Sequence, residues 1–286
     1  MAATDPTGDV PAAATPRGGR NLPVAIGVGL ALATAFIGSL LIHPLVFLTF
    51  VAVNLVVALY ELDEAFATAR AGARPPTAVA AAALPVMLFG SWAWGGDAIV
   101  AGLFGGMIAG FGAVMITHQR GQAVDRIGGL AVQLLWVNGF ASSLGLLLAR
   151  DEGYWYVLAG AGLAITNDIG AYAFGRNFGR TRMAPGISPA KSWEGFAGAL
   201  ATTVVMALVV TAQLVPGVTP VSAVVLALAV AVAATLGDLA ESMVKRDLGV
   251  KDLGTIFPGH GGVMDRVDGL LFALPTTHLV LQAFGI

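Results

Sequence analysis

The stretch from Ser242 to Asp268 concentrates the residues of this chain that could do chemistry. Lys245, Arg246, Lys251, His260 and Arg266 alternate there with Asp247, Asp252, Asp265 and Asp268, and Pro258 leads into Gly259, Gly261 and Gly262. Further acids, Asp168, Asp238 and Glu241, fall within or at the edge of apolar runs. Asp238, Glu241 and Ser242 are spaced to share one helix face, as are Asp265 and Asp268. Carboxylates without Cys or clustered His are hard oxygen donors and suit Mg²⁺ better than Zn²⁺. Glycines ahead of a helix start let backbone N–H groups approach an anion, and the helix N-terminus favours negative charge. The combination sets candidate Mg²⁺ ligands beside candidate phosphate binders. The competing reading is that the acids pair with nearby Lys and Arg and hold the bundle together.

These residues have to be positioned by elements made almost wholly of hydrocarbon. Of 286 residues 57% are hydrophobic and 11% charged, with a mean hydropathy of +0.81, against about 25% charged in soluble proteins. The class is an integral membrane protein. The apolar runs are continuous and do not alternate, which excludes a barrel wall and makes the fold all-α, a polytopic transmembrane helix bundle. The net charge of −2 says little as a total, and the absence of cysteine excludes disulfides and thiolate metal sites. No nucleic-acid partner is expected.

Runs broken by charge, Gly or Pro predict about nine spans, near Leu22–Ile42, Leu45–Leu59, Thr77–Trp94, Ala98–Ile116, Leu130–Ala149, Tyr154–Phe174, Phe196–Val215, Val221–Val244 and Gly269–Ile286. Residues 1–21 read as a disordered cytoplasmic tail, 22–150 as N-terminal transmembrane helices and 151–286 as a C-terminal catalytic region. With this count 14 of the 15 basic residues fall on one side and Arg150 on the other. The positive-inside rule then predicts a cytosolic N-terminus and a C-terminus outside. Asp168 lies eight residues before Arg176 and Asp238 seven before Lys245. Both should sit roughly 10–12 Å below the cytoplasmic helix ends at 1.5 Å per residue. A carboxylate at that depth is expensive unless paired or hydrated, which marks it as a candidate site.

The loop after the sixth span adds Ser188 and Lys191, with Pro189 constraining the turn between them. Arg176, Arg180 and Arg182 read as ordinary positive-inside residues. Trp92, Trp94, Trp136, Trp155 and Trp193 suit an interfacial aromatic belt. Gly102, Gly106 and Gly110 suit close helix packing.

The pattern S-M-V-K-R-D-L-G-V-K-D-L-G-T-I-F-P-G-H-G-G-V-M-D-R-V-D over Ser242–Asp268 resembles the signature of the phosphatidate cytidylyltransferases, or CDP-diacylglycerol synthases. So do Gly237-Asp238-Leu239-Ala240-Glu241-Ser242 upstream of it, Asp168-Ile169-Gly170-Ala171-Tyr172, and Ser188-Pro189-Ala190-Lys191-Ser192-Trp193-Glu194-Gly195. Ser192 stands where the family pattern has threonine, and a hydroxyl is retained. The resemblance runs from about Ala164 to the C-terminus. It implies that CTP and phosphatidic acid give CDP-diacylglycerol and pyrophosphate with Mg²⁺, and a second metal ion in some arrangements, in a bacterial-type inner or plasma membrane.

On that resemblance Asp238, Asp265 and Asp268 hold metal, with Asp168 a further ligand. Lys245 and Arg266 act at the reacting phosphates. Ser188, Lys191, Ser242, Arg246, Lys251, His260, Gly261 and Gly262 bind substrate. A homodimer is an expectation from the family, and membrane lipids are the surroundings. Two alternatives stay open: CTP-dependent activation of another lipid phosphate or lipid alcohol, and an ion-coupled transporter, whose buried acids would lie nearer the midplane with access from both sides.

Overall fold

In a bilayer every backbone N–H and C=O must be satisfied within the chain, and long apolar runs meet that demand as helices. The computed structural model describes residues 22–70, 73–117, 122–254, 256 and 261–286. His260 and the expected tail before Leu22 lie outside the described residues. The fold is nearly all-α. The helical rods, in order, are α1 (Leu22–Ile42), α2 (Pro44–Ala69), α3 (Thr77–Trp94), α4 (Gly96–Ile116), α5 (Ala123–Leu148), α6 (Gly153–Phe178), α7 (Trp193–Leu214), α8 (Pro220–Asp247) and α9 (Met264–Ala283). Among the described residues, α2 to α8 are each long and apolar enough to cross a membrane. The described apolar part of α1 is the shorter Gly29–Ile42. α9 opens on Asp265, Arg266 and Asp268, so its first turns are too charged for hydrocarbon.

Local chemistry sets the breaks. His43 caps α2, its Nδ1 accepting the Leu45 N–H at 3.1 Å, with Pro44 at the first helical position. Gly95, at φ +74°, makes the turn between α3 and α4 in a region that L side chains avoid. Thr219 and Ser222 form a reciprocal capping box at the start of α8. Within α5, residues Gln133–Gly139 form π-helical turns. A π turn brings residues five apart onto one side, and Gln133 and Asn138 both use it. The Gln133 amide donates to the Leu59 carbonyl at 3.1 Å and to Thr77, and that of Asn138 to the Ala80 carbonyl at 2.8 Å.

Two departures from the sequence expectations bear on the site. Apolarity ends at Leu59, but α2 continues through Glu61, Asp63 and Glu64 to Ala69. The helix persists because these acids are partnered. Arg74 reaches Asp63 and Glu64, each at 2.6 Å, and Glu61 receives backbone N–H groups from the start of α9. Arg70 pairs with Asp247, tying the end of α2 to the end of α8. The second departure is the loop after α6, which forms an antiparallel ribbon of β1 (Arg182–Ala184) and β2 (Ser188–Ser192).

The buried apolar cluster is continuous from Leu40 to Leu281, so the two halves divided at residue 150 share one core. At the crossing of α6 and α7 the backbones approach closely. A Cβ placed at Gly195 would lie 2.9 Å from the Ala171 carbonyl oxygen and 3.0 Å from the Gly175 Cα. Gly195→Ala is therefore expected to cost about 1–3 kcal/mol as an overpacking substitution. Thermal unfolding in detergent should show a lowered midpoint, and an unchanged midpoint would mean that the helices separate freely there.

Candidate active site

A cavity of about 520 Å³ opens where α6, α7, α8, the start of α9 and the ribbon converge. α6 contributes Asn167, Asp168 and Tyr172 to its wall. α8 contributes Thr235, Asp238, Glu241 and Lys245, one face of a helix at three- and four-residue spacing. The ribbon brings Ser188 and Lys191, and α9 brings Asp265, Arg266 and Asp268. Residues separated by as many as 101 positions, Asn167 and Asp268, thus share one wall. The ribbon itself is held by Glu194, in the first turn of α7, whose carboxylate accepts the Arg180 N–H at 3.0 Å and the Thr181 N–H at 3.1 Å. Ser192 caps α7 through its hydroxyl, which accepts the Gly195 N–H at 3.1 Å, so the helix start fixes Lys191 just before it.

The four aspartates separate into two kinds. Asp168, Asp238 and Asp268 lie within electrostatic reach of one another around the cavity. Their direct contacts are sparse: Lys191 Nζ stands 2.5 Å from Asp238 Oδ2, the Ser242 hydroxyl 3.5 Å from Asp238 Oδ1, and the Asn167 amide 3.5 Å from Asp168 Oδ1. Asp265 is engaged on both oxygens. It accepts the Gly262 N–H at 2.7 Å, the Leu253 N–H at 3.2 Å and Lys245 Nζ at 3.0 Å. Lys245 also bonds Glu241 at 2.7 Å, and the Glu241 carboxylate is buried with Oε1 unpartnered.

The other expected substrate binders are dispersed. Arg246 is exposed and donates from Nε to the Ile187 carbonyl at 3.3 Å, beside the ribbon. Lys251 is exposed outside the cavity wall, and Ser242 is directed at Asp238. Gly261 adopts φ +77°, and the Gly262 amide is taken by Asp265. Glu61, Asn167 and Thr235 are not among the residues expected from sequence, and Glu194 is expected only as part of the Ser188–Gly195 motif. Glu61 carries a signal, an acid on an apolar helix, two residues past the predicted span end at Leu59.

Among the described residues no three His, Cys, Asp or Glu side chains stand close enough to hold a metal ion in this arrangement. The chemistry of the donor set nonetheless fits Mg²⁺. Asp168, Asp238 and Asp268 are hard oxygen donors on the wall of one cavity, which Glu241, Asp252 and Asp265 also line, and the Lys191 ammonium rests on Asp238.

A model of the cytidylyltransferase family matches residues 23–284, nearly the whole described chain. The chain belongs to the cytidylyltransferase family. Among curated relatives of this cytidylyltransferase, the phosphatidate cytidylyltransferase of Mycobacterium bovis is 35% identical over 290 residues, covering 95% of this chain and 92% of the relative. That of Mycobacterium leprae is 35% identical over 284 residues, covering 90% and 86%. That of Brucella suis is 36% identical over 210 residues, covering 69% and 74%. The similarity extends into the N-terminal helices of the cytidylyltransferase, where the sequence motifs alone did not reach.

Proposed function

We propose that this membrane-embedded nucleotidyltransferase converts CTP and phosphatidic acid to CDP-diacylglycerol and pyrophosphate. The observation that carries the reading is the shared cavity, in which the Asp168, Asp238 and Asp268 carboxylates meet Lys191, Lys245 and Arg266. A phosphomonoester has a second pKa of about 6, so the lipid phosphate is largely dianionic at neutral pH and needs no strong base. Its oxygen attacks the α-phosphorus of CTP. A new P–O bond forms there as the bond to the bridging oxygen of the β-phosphate breaks, and pyrophosphate leaves with that electron pair. The main task for the protein is to bring two polyanions together in line and offset their charge.

Lys191 and Arg266 are the cationic groups at the cavity wall suited to the incoming phosphates. Arg246 stands beside the ribbon that forms part of the wall, and Ser188 lines the wall with Lys191. Asp238, Asp268 and Asp168 are the residues that would hold Mg²⁺, which when bound neutralises charge on the phosphate oxygens and the leaving group. Asp265, whose oxygens are already filled, holds Lys245 and the Leu253 and Gly262 amides in place. In the orientation proposed from the basic residues, the cavity faces the cytosol, where CTP is found, at the depth of the lipid headgroups.

Purified protein given CTP, phosphatidic acid and Mg²⁺ should release pyrophosphate and accumulate CDP-diacylglycerol. No metal-dependent product would refute the assignment. Product from a polyprenyl or ether-lipid phosphate in place of phosphatidic acid would move the assignment to another lipid.

A further inference from the structure

Glu61 belongs to the N-terminal half of the chain, yet it is built into the back of the site. It stands on α2 with 8% of its surface exposed, and its carboxylate accepts the Val263 N–H and the Met264 N–H, each at 3.1 Å. These are backbone donors at the start of α9, which have no partner within the helix. The preceding amide, that of Gly262, goes to Asp265. Successive N–H groups at the start of the helix carrying Asp265 and Asp268 thus end on two carboxylates, one of them about 200 positions away in sequence.

The surrounding backbone is shaped to this side chain. A Cβ at Gly254 would lie 2.1 Å from Glu61 Oε1, and one at Gly262 would lie 2.4 Å from Oε2. Two glycines of the signature stretch therefore make room for an acid that lies outside it. α9 is in this way docked on α2 through paired charge-assisted hydrogen bonds, which are stronger and more directional than apolar packing.

We infer that Glu61 is a positioning residue for the transfer reaction. By fixing the backbone at Val263 and Met264 it sets the placement of Asp265, the next residue, and of Asp268 one turn on. The inference rests on the function proposed above. It makes the N-terminal helices part of the catalytic apparatus, beyond their role as membrane anchor.

The chain lacks cysteine, so spin labels at Val53→Cys on α2 and Ile256→Cys beside the docked segment, both exposed positions, report the docking without reference to activity. The parent protein should show a narrow distance distribution, broadened in Glu61→Gln and Glu61→Ala. In unlabelled protein, Glu61→Gln keeps the shape of the side chain but turns an acceptor into a donor. Its kcat should fall on the order of 100-fold, as for an ångström-scale misplacement. Its KM for CTP should stay within about threefold, because the substrate contacts themselves remain.

Gly254→Ala should slow the parent and add little further loss in a Glu61→Ala background. Wild-type kcat in Glu61→Gln would overturn the inference, as would unchanged distances in both Glu61 variants. A parent protein that makes no CDP-lipid would instead refute the proposed function, and the distance measurement would still test the docking.

Discussion

Asp238→Asn and Asp268→Asn are each expected to lower CDP-lipid formation at least about 1000-fold. Charge neutralisation by a bound divalent ion is worth several kcal/mol in the transition state, and each 1.4 kcal/mol is about tenfold in rate. The substitutions are nearly isosteric and fall on partly exposed side chains at the cavity wall, so the protein should remain folded, with an unfolding midpoint close to that of the parent. Mg²⁺ binding, measured by competition with Mn²⁺ in electron paramagnetic resonance, should weaken in parallel.

Asp265→Asn offers a contrast. It should also lose activity, but with a lowered midpoint, because the backbone amides of Leu253 and Gly262 and the ammonium of Lys245 all depend on that carboxylate. Full activity in both Asp238→Asn and Asp268→Asn would remove these residues from the reaction.

The second large effect is expected at Lys245, whose ammonium lies between Glu241 and Asp265. The side chains of the three are only 16%, 2% and 6% exposed. Removing one member of a buried ion pair leaves the other charge uncompensated, which costs roughly 3–5 kcal/mol. Lys245→Ala should therefore unfold at a markedly lower temperature and be inactive. Replacing Lys245 and Glu241 together, as in Lys245→Met with Glu241→Leu, takes those two charges out of the interior and should restore part of the stability, since Asp265 loses Lys245 but keeps the Leu253 and Gly262 amides. Activity should stay absent, since one of the cations at the cavity wall, with Lys191 and Arg266, is gone. Recovery of both stability and activity in the double variant would show that Lys245 serves only to satisfy Glu241.

Several features of the architecture could be read without coordinates because the bilayer leaves the chain few options. A run such as Thr77–Trp94 has to be a helix, and its predicted ends coincide with those of α3. Asp168 and Asp238 could be matched in depth from spacing alone, because the helical rise is fixed and each precedes a basic cluster. The stretch Ser242–Asp268 pointed to the reaction through its resemblance to the phosphatidate cytidylyltransferases; its acids, glycines and cations by themselves suggest only metal and phosphate binding. Span ends were harder where polar residues are stabilised from a distance. α2 runs on past Leu59 because Arg74 and the amides of α9 partner its acids.

Residue types and spacing alone thus determined a helical membrane protein, its charged segments, and a set of carboxylates, cations and glycines suited to phosphate transfer. The division of labour proposed within that set rests on the tertiary structure. Asp265 and Asp268 stand three residues apart on one helix and look alike in sequence. Both line the cavity, but Asp265 accepts the Gly262 and Leu253 amides and Lys245, whereas Asp268 faces the acids Asp168, Asp238 and Glu241. Gly262 reads as a phosphate-loop glycine, but in three dimensions it clears space, together with Gly254, for Glu61. Local sequence sets which groups a helix face presents. Hydrogen bonds from elements packed against that face decide which of them remain free to meet a substrate, and those elements lie far away along the chain.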